Sequence, residues 1–261
     1  VFADIGTSCA LDGNGQGRCW GFDLYGELGD GGGAQYRLSP VAITTVPASV
    51  SDLLLGANHT CAIDAGGGLR CWGYDAGGQL GNGSYANSVQ AVDVAGLQAG
   101  VAAADAGGAE TCAIAGDGRV LCWGDNGSGE LGDGTTTWHN TPFEVLLPRG
   151  SAVAVAVGQT RYACAILATG AVACWGANGA GQLGDGTRVD RWSPVTVAGL
   201  GNVVQLGLGG FSTCALTGEG AVKCWGSNYY GTLGNGTGVD SLAPVDVVGL
   251  RLDLGIVGAM P

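Results

Sequence analysis

Cys61-Ala62-Ile63-Asp64-Ala65-Gly66-Gly67-Gly68-Leu69-Arg70-Cys71-Trp72-Gly73 decides the fold, because the chain repeats its pattern five times. The cysteines pair as Cys9/Cys19, Cys61/Cys71, Cys112/Cys122, Cys164/Cys174 and Cys214/Cys224, and successive pairs begin 50 to 52 residues apart. Each pair opens Cys-Ala-[Leu/Ile] and closes Cys-Trp-Gly. A fixed period of this length marks a solenoid, a propeller or an array. Folded as a hairpin about Gly66, the stretch sets Cys61 opposite Cys71, Ala62 opposite Arg70 and Ile63 opposite Leu69, with a glycine-rich loop at the tip. Opposed residues of an antiparallel pair lie roughly 4.5 to 5.5 Å apart, a distance a disulfide can bridge.

Side chains two apart on a strand share a face, so Cys61, Ile63, Leu69 and Cys71 lie together. The same apolar pair recurs as Ile114/Val120, Ile166/Val172 and Leu216/Val222, and more weakly as Leu11/Gly17. Five disulfides within hairpins are therefore expected, and none between units. Each closes a loop of about 11 residues and stabilises by roughly 2 to 3 kcal/mol. Zinc and free buried thiols are the alternatives, but structural zinc sites use ligand pairs two to four residues apart, and that spacing does not occur here. Disulfides imply an oxidising compartment, so a secreted or cell-surface protein, extracellular or periplasmic, is expected.

Beyond each Cys-Trp comes Gly-x4-Gly-x-Leu-Gly-x-Gly, from Gly21, Gly73, Gly124, Gly176 and Gly226. Its leucine (Leu28, Leu80, Leu131, Leu183, Leu233) is expected to plug the gap between neighbouring units. A polar stretch follows, then a short apolar strand such as Pro194-Val195-Thr196-Val197, a turn, and a small-residue strand leading to the next Cys-Ala. Four short strands per unit without helical periodicity indicate an all-β chain: a β-propeller of about five four-stranded blades. The single domain divides into units of approximately 1–48, 49–99, 100–150, 151–200 and 201–250. Residues 251–261 are read as a ring-closing or truncated strand, with closure of a five-bladed ring favoured over a piece of a longer array. Trp20, Trp72, Trp123, Trp175 and Trp225 fall on the hairpin face opposite the cysteines, where packing between blades is expected.

Composition narrows function. Of 261 residues, 53 are glycine, 46% are hydrophobic and 12% charged, which suits a turn-rich globular fold rather than disorder. The net charge is −12, and clustered Lys/Arg for phosphate contacts is lacking, so nucleic acid is disfavoured. No apolar run approaches the roughly 20 residues that span a bilayer, so membrane insertion is not expected. No signal peptide is evident, and a processed or excised form is expected.

Cys-Trp-Gly, then Gly-Gln-Leu-Gly-Asp-Gly-Thr (Gly181 to Thr187), then Pro-Val-x-Val, resembles the regulator of chromosome condensation repeat family, over nearly the whole chain. The cysteine-paired form is similar to secreted bacterial members. The resemblance implies a propeller. Family functions diverge among nucleotide exchange on a small GTPase with chromatin contact, ultraviolet sensing through extra tryptophans, and β-lactamase inhibition. Acidity and disulfides argue against the nuclear role. The segments before each Cys-Ala lack tryptophan, which argues against light sensing.

Positions constant across units are read as structural, and positions that vary as free to specialise. The tetrapeptides between loop glycines carry Phe22, Tyr25, Tyr74, Tyr229 and Tyr230, which in a ring of neighbouring units one, two and five would form one aromatic patch. Trp138, His139 and Trp192 have no counterparts in other units and are placed on an outer rim. Catalysis finds little support: two histidines in different units, no free cysteine and no catalytic motif. The recurring Asp30, Asp133 and Asp185 read as turn-stabilising residues rather than calcium ligands. Asn58, Asn82, Asn126 and Asn235 match the glycosylation pattern mostly by coincidence with turn chemistry. No cofactor or metal is expected. The leading expectation is a secreted, non-enzymatic module that binds a protein or glycan through loops on one face. A structural module with self-association, and a carboxylate-dependent hydrolase or lyase, are the alternatives.

Overall fold

The computed structural model describes residues 1–46, 49–148 and 150–253. Among them, twenty strands form five sheets of four, each an up-and-down meander in chain order. Blade 1 contains β1 (Phe2–Ala3), β2 (Thr7–Leu11), β3 (Gly17–Phe22) and β4 (Tyr36–Ala42). Blade 2 contains β5 (Val50–Leu55), β6 (His59–Asp64), β7 (Leu69–Gly73) and β8 (Ser88–Asp93). Blade 3 contains β9 (Val101–Ala106), β10 (Glu110–Ala115), β11 (Val120–Gly124) and β12 (His139–Val145). Blade 4 contains β13 (Ala152–Val157), β14 (Tyr162–Leu167), β15 (Val172–Gly176) and β16 (Arg191–Thr196). Blade 5 contains β17 (Val203–Leu208), β18 (Ser212–Thr217), β19 (Ala221–Gly226) and β20 (Ser241–Arg251). The first strands of successive blades touch one another, which puts the small-residue strands innermost.

The central hairpins have the register expected from the sequence. In blade 2, Cys61 faces Cys71, Ala62 faces Arg70 and Ile63 faces Leu69. All five expected disulfides form within hairpins: Cys9–Cys19, Cys61–Cys71, Cys112–Cys122, Cys164–Cys174 and Cys214–Cys224. Their Cα atoms are 4.0 to 4.1 Å apart, and no cysteine is free. In blade 1 the side chain of Ile43 occupies the space a larger residue at Gly17 would need, which accounts for the weaker apolar pair there.

Each hairpin has two faces with different partners. The disulfide face of one blade packs against the tryptophan face of the next: Cys9 and Cys19 share a core with Trp72, Cys61 and Cys71 with Trp123, Cys112 and Cys122 with Trp175, and Cys164 and Cys174 with Trp225. The alanine of Cys-Ala lies on the tryptophan face, and Ala62, Ala113, Ala165 and Ala215 are buried there. A larger side chain would hold the blades apart. Each of these four indoles donates from Nε1 to a backbone carbonyl of the preceding blade: Trp72 to Glu27, Trp123 to Gln79, Trp175 to Glu130 and Trp225 to Gln182, at 2.8 to 3.0 Å. The glycine after each loop leucine clears room for that ring. A Cβ on Gly132, at φ 69°, would come within 2.8 Å of Trp175. The loop leucines are fully buried in all five blades, as a plug requires.

The fifth bridge departs from this arrangement. Cys224 faces Cys214 and is bonded to it, but neither belongs to a core shared with another blade among the described residues. Cys224 is buried, whereas Cys214 is half-buried along with Leu216 and Val222 on the same face. This bridge therefore staples its hairpin without cementing a blade boundary. At the other flank, Trp20 and Ala10 of blade 1 are half-buried too. No core joins blade 5 to blade 1 among the described residues. The expected ring-closing strand falls largely on 254–261, outside the described residues.

Candidate binding face

The loop between the first and second strands of each blade is tied to the segment after Cys-Trp-Gly. Phe22 N donates to Gly6 O, Tyr74 N to Asn58 O, Asp125 N to Ala109 O, Ala177 N to Arg161 O and Ser227 N to Phe211 O, at 2.8 to 3.0 Å. These bonds place both sets of loops on one face, with the hairpin tips on the other. The glycine of Cys-Trp-Gly is required here, since a Cβ on Gly73 (φ 108°) would come within 2.7 Å of Asn58 O.

The expected aromatic patch divides in two. Phe22 packs edge-on to Tyr25 at 6.4 Å between centroids, and Tyr25 leans on Tyr74 at 4.7 Å across the blade 1–blade 2 boundary. Ile5 and Leu24 are exposed beside them in the same loops. Tyr229 and Tyr230 make a separate T-shaped pair at 4.7 Å in blade 5 and are 79% and 86% exposed. Phe211 is exposed in the neighbouring loop of that blade. Blades 1 and 5 share no packed interface among the described residues, so the rings do not merge as a closed circle of neighbours would have allowed.

Between the two groups stands Arg161. It holds a left-handed backbone (φ 62°), and its guanidinium reaches Asp125 at 3.2 Å and Glu130 at 3.9 Å. Beneath it, burial and the charges of Glu130 and Asp125 push Glu110 up to about 8, against the opposing pull of Arg161. This cluster lies outside the residues expected from sequence. No signal in the sequence singles it out, since the equivalents of Glu110 (Thr7, His59, Tyr162 and Ser212) and of Arg161 (Gly6, Asn58, Ala109 and Phe211) differ from blade to blade.

The outer-rim candidates behave differently from one another. His139 begins β12, bonds Asp133 Oδ2 at 2.8 Å and stacks on Phe143 at 4.8 Å. Its place opposite the Cys-Trp-Gly glycine is taken by Arg37 in blade 1 and Arg191 in blade 4, which pair with Asp30 and Asp185 in the same way. His139 is thus a turn-bracing residue. Trp192 lies across Gly129 of blade 3 with about half its surface exposed. Trp138 is similarly exposed. Phe143 replaces the valine of the other blades and opens on a cavity of about 310 Å3 lined also by Gly132, Asp133, Glu144, Leu146 and Ser193.

Asp30, Asp133 and Asp185 accept the backbone N–H two residues on, as Asx turns do, at 2.8 to 2.9 Å. No group of three or more His, Cys, Asp or Glu is arranged to hold a metal among the described residues. Asn126 is fully buried, with its side-chain amide donating to the turn, so its glycosylation pattern is coincidental. No helix of the described residues is long and apolar enough to cross a membrane.

Residues 117–165, 169–216 and 219–257 match the Regulator of chromosome condensation (RCC1) repeat. The chain belongs to the RCC1 repeat family. The shorter form of the repeat matches 101–130 and 203–232. Among curated relatives, the chain is 30% identical to the Ultraviolet-B receptor UVR8 of Arabidopsis thaliana over 69% of its length and 41% of the receptor. It is 32% identical to the probable E3 ubiquitin-protein ligase HERC4 of Mus musculus over 69% of its length and 17% of that protein. It therefore spans well under two thirds of the relatives it matches. Among solved structures, human WBSCR16 superposes with a TM-score of 0.82 at 24% identity, covering 93% of this chain and 65% of that one. Prp20p of Saccharomyces cerevisiae superposes at 0.80 and 19%, covering 93% and 61%. These likenesses show the fold.

Proposed function

We propose that this RCC1-repeat propeller is a non-enzymatic, protein-binding module that works in an oxidising compartment and engages its partner through the loop face. The observation that carries this reading is the placement of exposed rings. The repeated hairpins spend their tryptophans and leucines on the core, whereas the exposed Tyr229, Tyr230 and Phe211, with the exposed aliphatic Ile5 and Leu24 and the half-buried Tyr25, stand where the blades differ in sequence. Tyrosines with a small entropy cost and a polar tip are favoured contact residues. Relatives of the fold offer a precedent, since the yeast protein Prp20p is described with binding to Gsp1p and histones and bound to Kap60. Five disulfides support a location outside the cytosol. Glu27 and Glu130 on this face cap the backbone N–H groups of Tyr25 and Ser128, a use that supports contact rather than catalysis.

The test is affinity capture from the source's own extracellular material. A protein retained by the parent chain should be lost, with affinity falling at least tenfold, from Tyr229→Ser/Tyr230→Ser, at about 1.4 kcal/mol per decade. It should be kept by Val248→Ser on the exposed outer strand β20. Equal capture by both variants would refute the loop face as the binding surface.

A further inference from the structure

On the second strand of each blade, the residue opposite the Cys-Trp-Gly glycine is Thr7, His59, Glu110, Tyr162 or Ser212. From this place His59 Nε2 meets Thr111 Oγ1 of blade 3 at 2.9 Å, and Tyr162 OH donates to Gly209 O and Ser212 O of blade 5, both at 2.9 Å. Glu110 occupies the same place at the blade 3–blade 4 boundary. There the hydroxyl supplied by Thr60, Thr111 and Thr213 at the other boundaries is replaced by Ala163. Glu110 Oε2 accepts from Ala109 N at 3.0 Å, while its Oε1 is buried without a partner. Glu130 Oε2 accepts from Ser128 N at 2.6 Å, and its Oε1 is likewise buried without a hydrogen bond. Both side chains are sealed from solvent, at 0% exposure. An ionised carboxylate sealed from water with an oxygen that no donor reaches is costly, and protonation relieves that cost.

We propose that Glu110 is kept as the neutral acid at the blade 3–blade 4 boundary beneath Arg161, and that this proton lets the sealed carboxyl sit there beside Glu130 and Asp125. The charged groups facing Glu110 are Glu130 and Asp125 from blade 3 and Arg161 from blade 4. With the proton in place, two carboxylates answer one guanidinium. Without it, three buried carboxylates repel one another around a single guanidinium, and the boundary loses stability. Raising the pH through the region of 8 therefore loosens the centre of the loop face. The consequence for a partner rests on the binding role given above, whereas the protonation does not.

Isotope-edited infrared spectroscopy of glutamate carboxyls on the intact chain tests it. The parent should show a protonated carboxyl at neutral pH that titrates near 8. The band should be missing from Glu110→Gln. It should titrate at lower pH in Glu130→Gln, which retains the cap that Gln79 and Gln182 make in blades 2 and 4. Relative to Glu110→Gln, the parent's folding constant should fall by up to about tenfold per pH unit as pH rises from the ordinary glutamate value of 4.5 towards 8. Glu110→Thr, using the residue at position 7, serves if the glutamine variant fails to fold. Absence of a protonated carboxyl at neutral pH, or parallel pH profiles for parent and variants, would overturn the neutral Glu110. Loss of partner capture alone would leave it standing.

Discussion

Asn126, Asn178 and Asn228 each accept from the N–H of the loop leucine five residues on. Each also donates from Nδ2 to the turn ahead, as Asn126 does to Asp133 Oδ1, Thr135 O and Thr137 O. Blades 1 and 2 have aspartate at this place. Asp23 finds a second donor in Ala34 N, but Asp75 Oδ2 is buried and unpartnered. Burial pushes Asp75 up to about 6, against the bond from Leu80 N. A carboxyl raised in the folded state contributes stability that is full below its unfolded value of 3.8 and lost as pH rises through about 6. Asp75→Asn restores a donor and removes that loss, so it should stabilise by about 1 kcal/mol above pH 6 and little at pH 4. Urea unfolding at the two pH values reads the difference. This constant Asp/Asn is visible in the sequence inside loops whose other positions vary. Its structural role emerges once all five side chains prove buried.

The tryptophan face sets the scale of the hairpin. Trp123→Phe removes the bond to Gln79 O and leaves a gap against the blade 2 disulfide, and should cost about 2 to 3 kcal/mol. Trp20 is half-buried, and no carbonyl acceptor for its indole is found among the described residues. Trp20→Phe should cost less than about 1 kcal/mol by the same denaturant titration. Hairpin register was legible because alternation and paired cysteines are local properties that one strand turn enforces. The pairing of Cys224 with Cys214 was legible in this way, whereas the lack of a core joining that pair to another blade among the described residues was not. The blade partners of each face were legible only as a need for packing. Which loop aromatics meet was not legible, because Tyr25 and Tyr74 are brought together by the packing of blade 1 on blade 2, whereas no core joins blade 5, which carries Tyr229, to blade 1 among the described residues. Glu110 was not legible either: a lone glutamate in a strand carries no motif, and its significance depends on Ala163 some 50 residues away.

At the scale of the molecule, four boundaries repeat one arrangement, and the flanks of blades 1 and 5 each retain one half of it. Each sealed indole shares its core with a disulfide contributed by the blade before it. Disulfides are efficient quenchers of tryptophan emission. The native protein should therefore glow weakly, with its light coming mainly from the exposed Trp138 and Trp192 and from Trp20, which has no such neighbour among the described residues. Gentle reduction under native conditions should brighten the blue-shifted, buried emission before the fold is lost, and unchanged brightness would deny the contacts. Blades 2 to 5 thus each report optically on the bond in their predecessor, so opening of the array can be followed with its own chromophores and without a label.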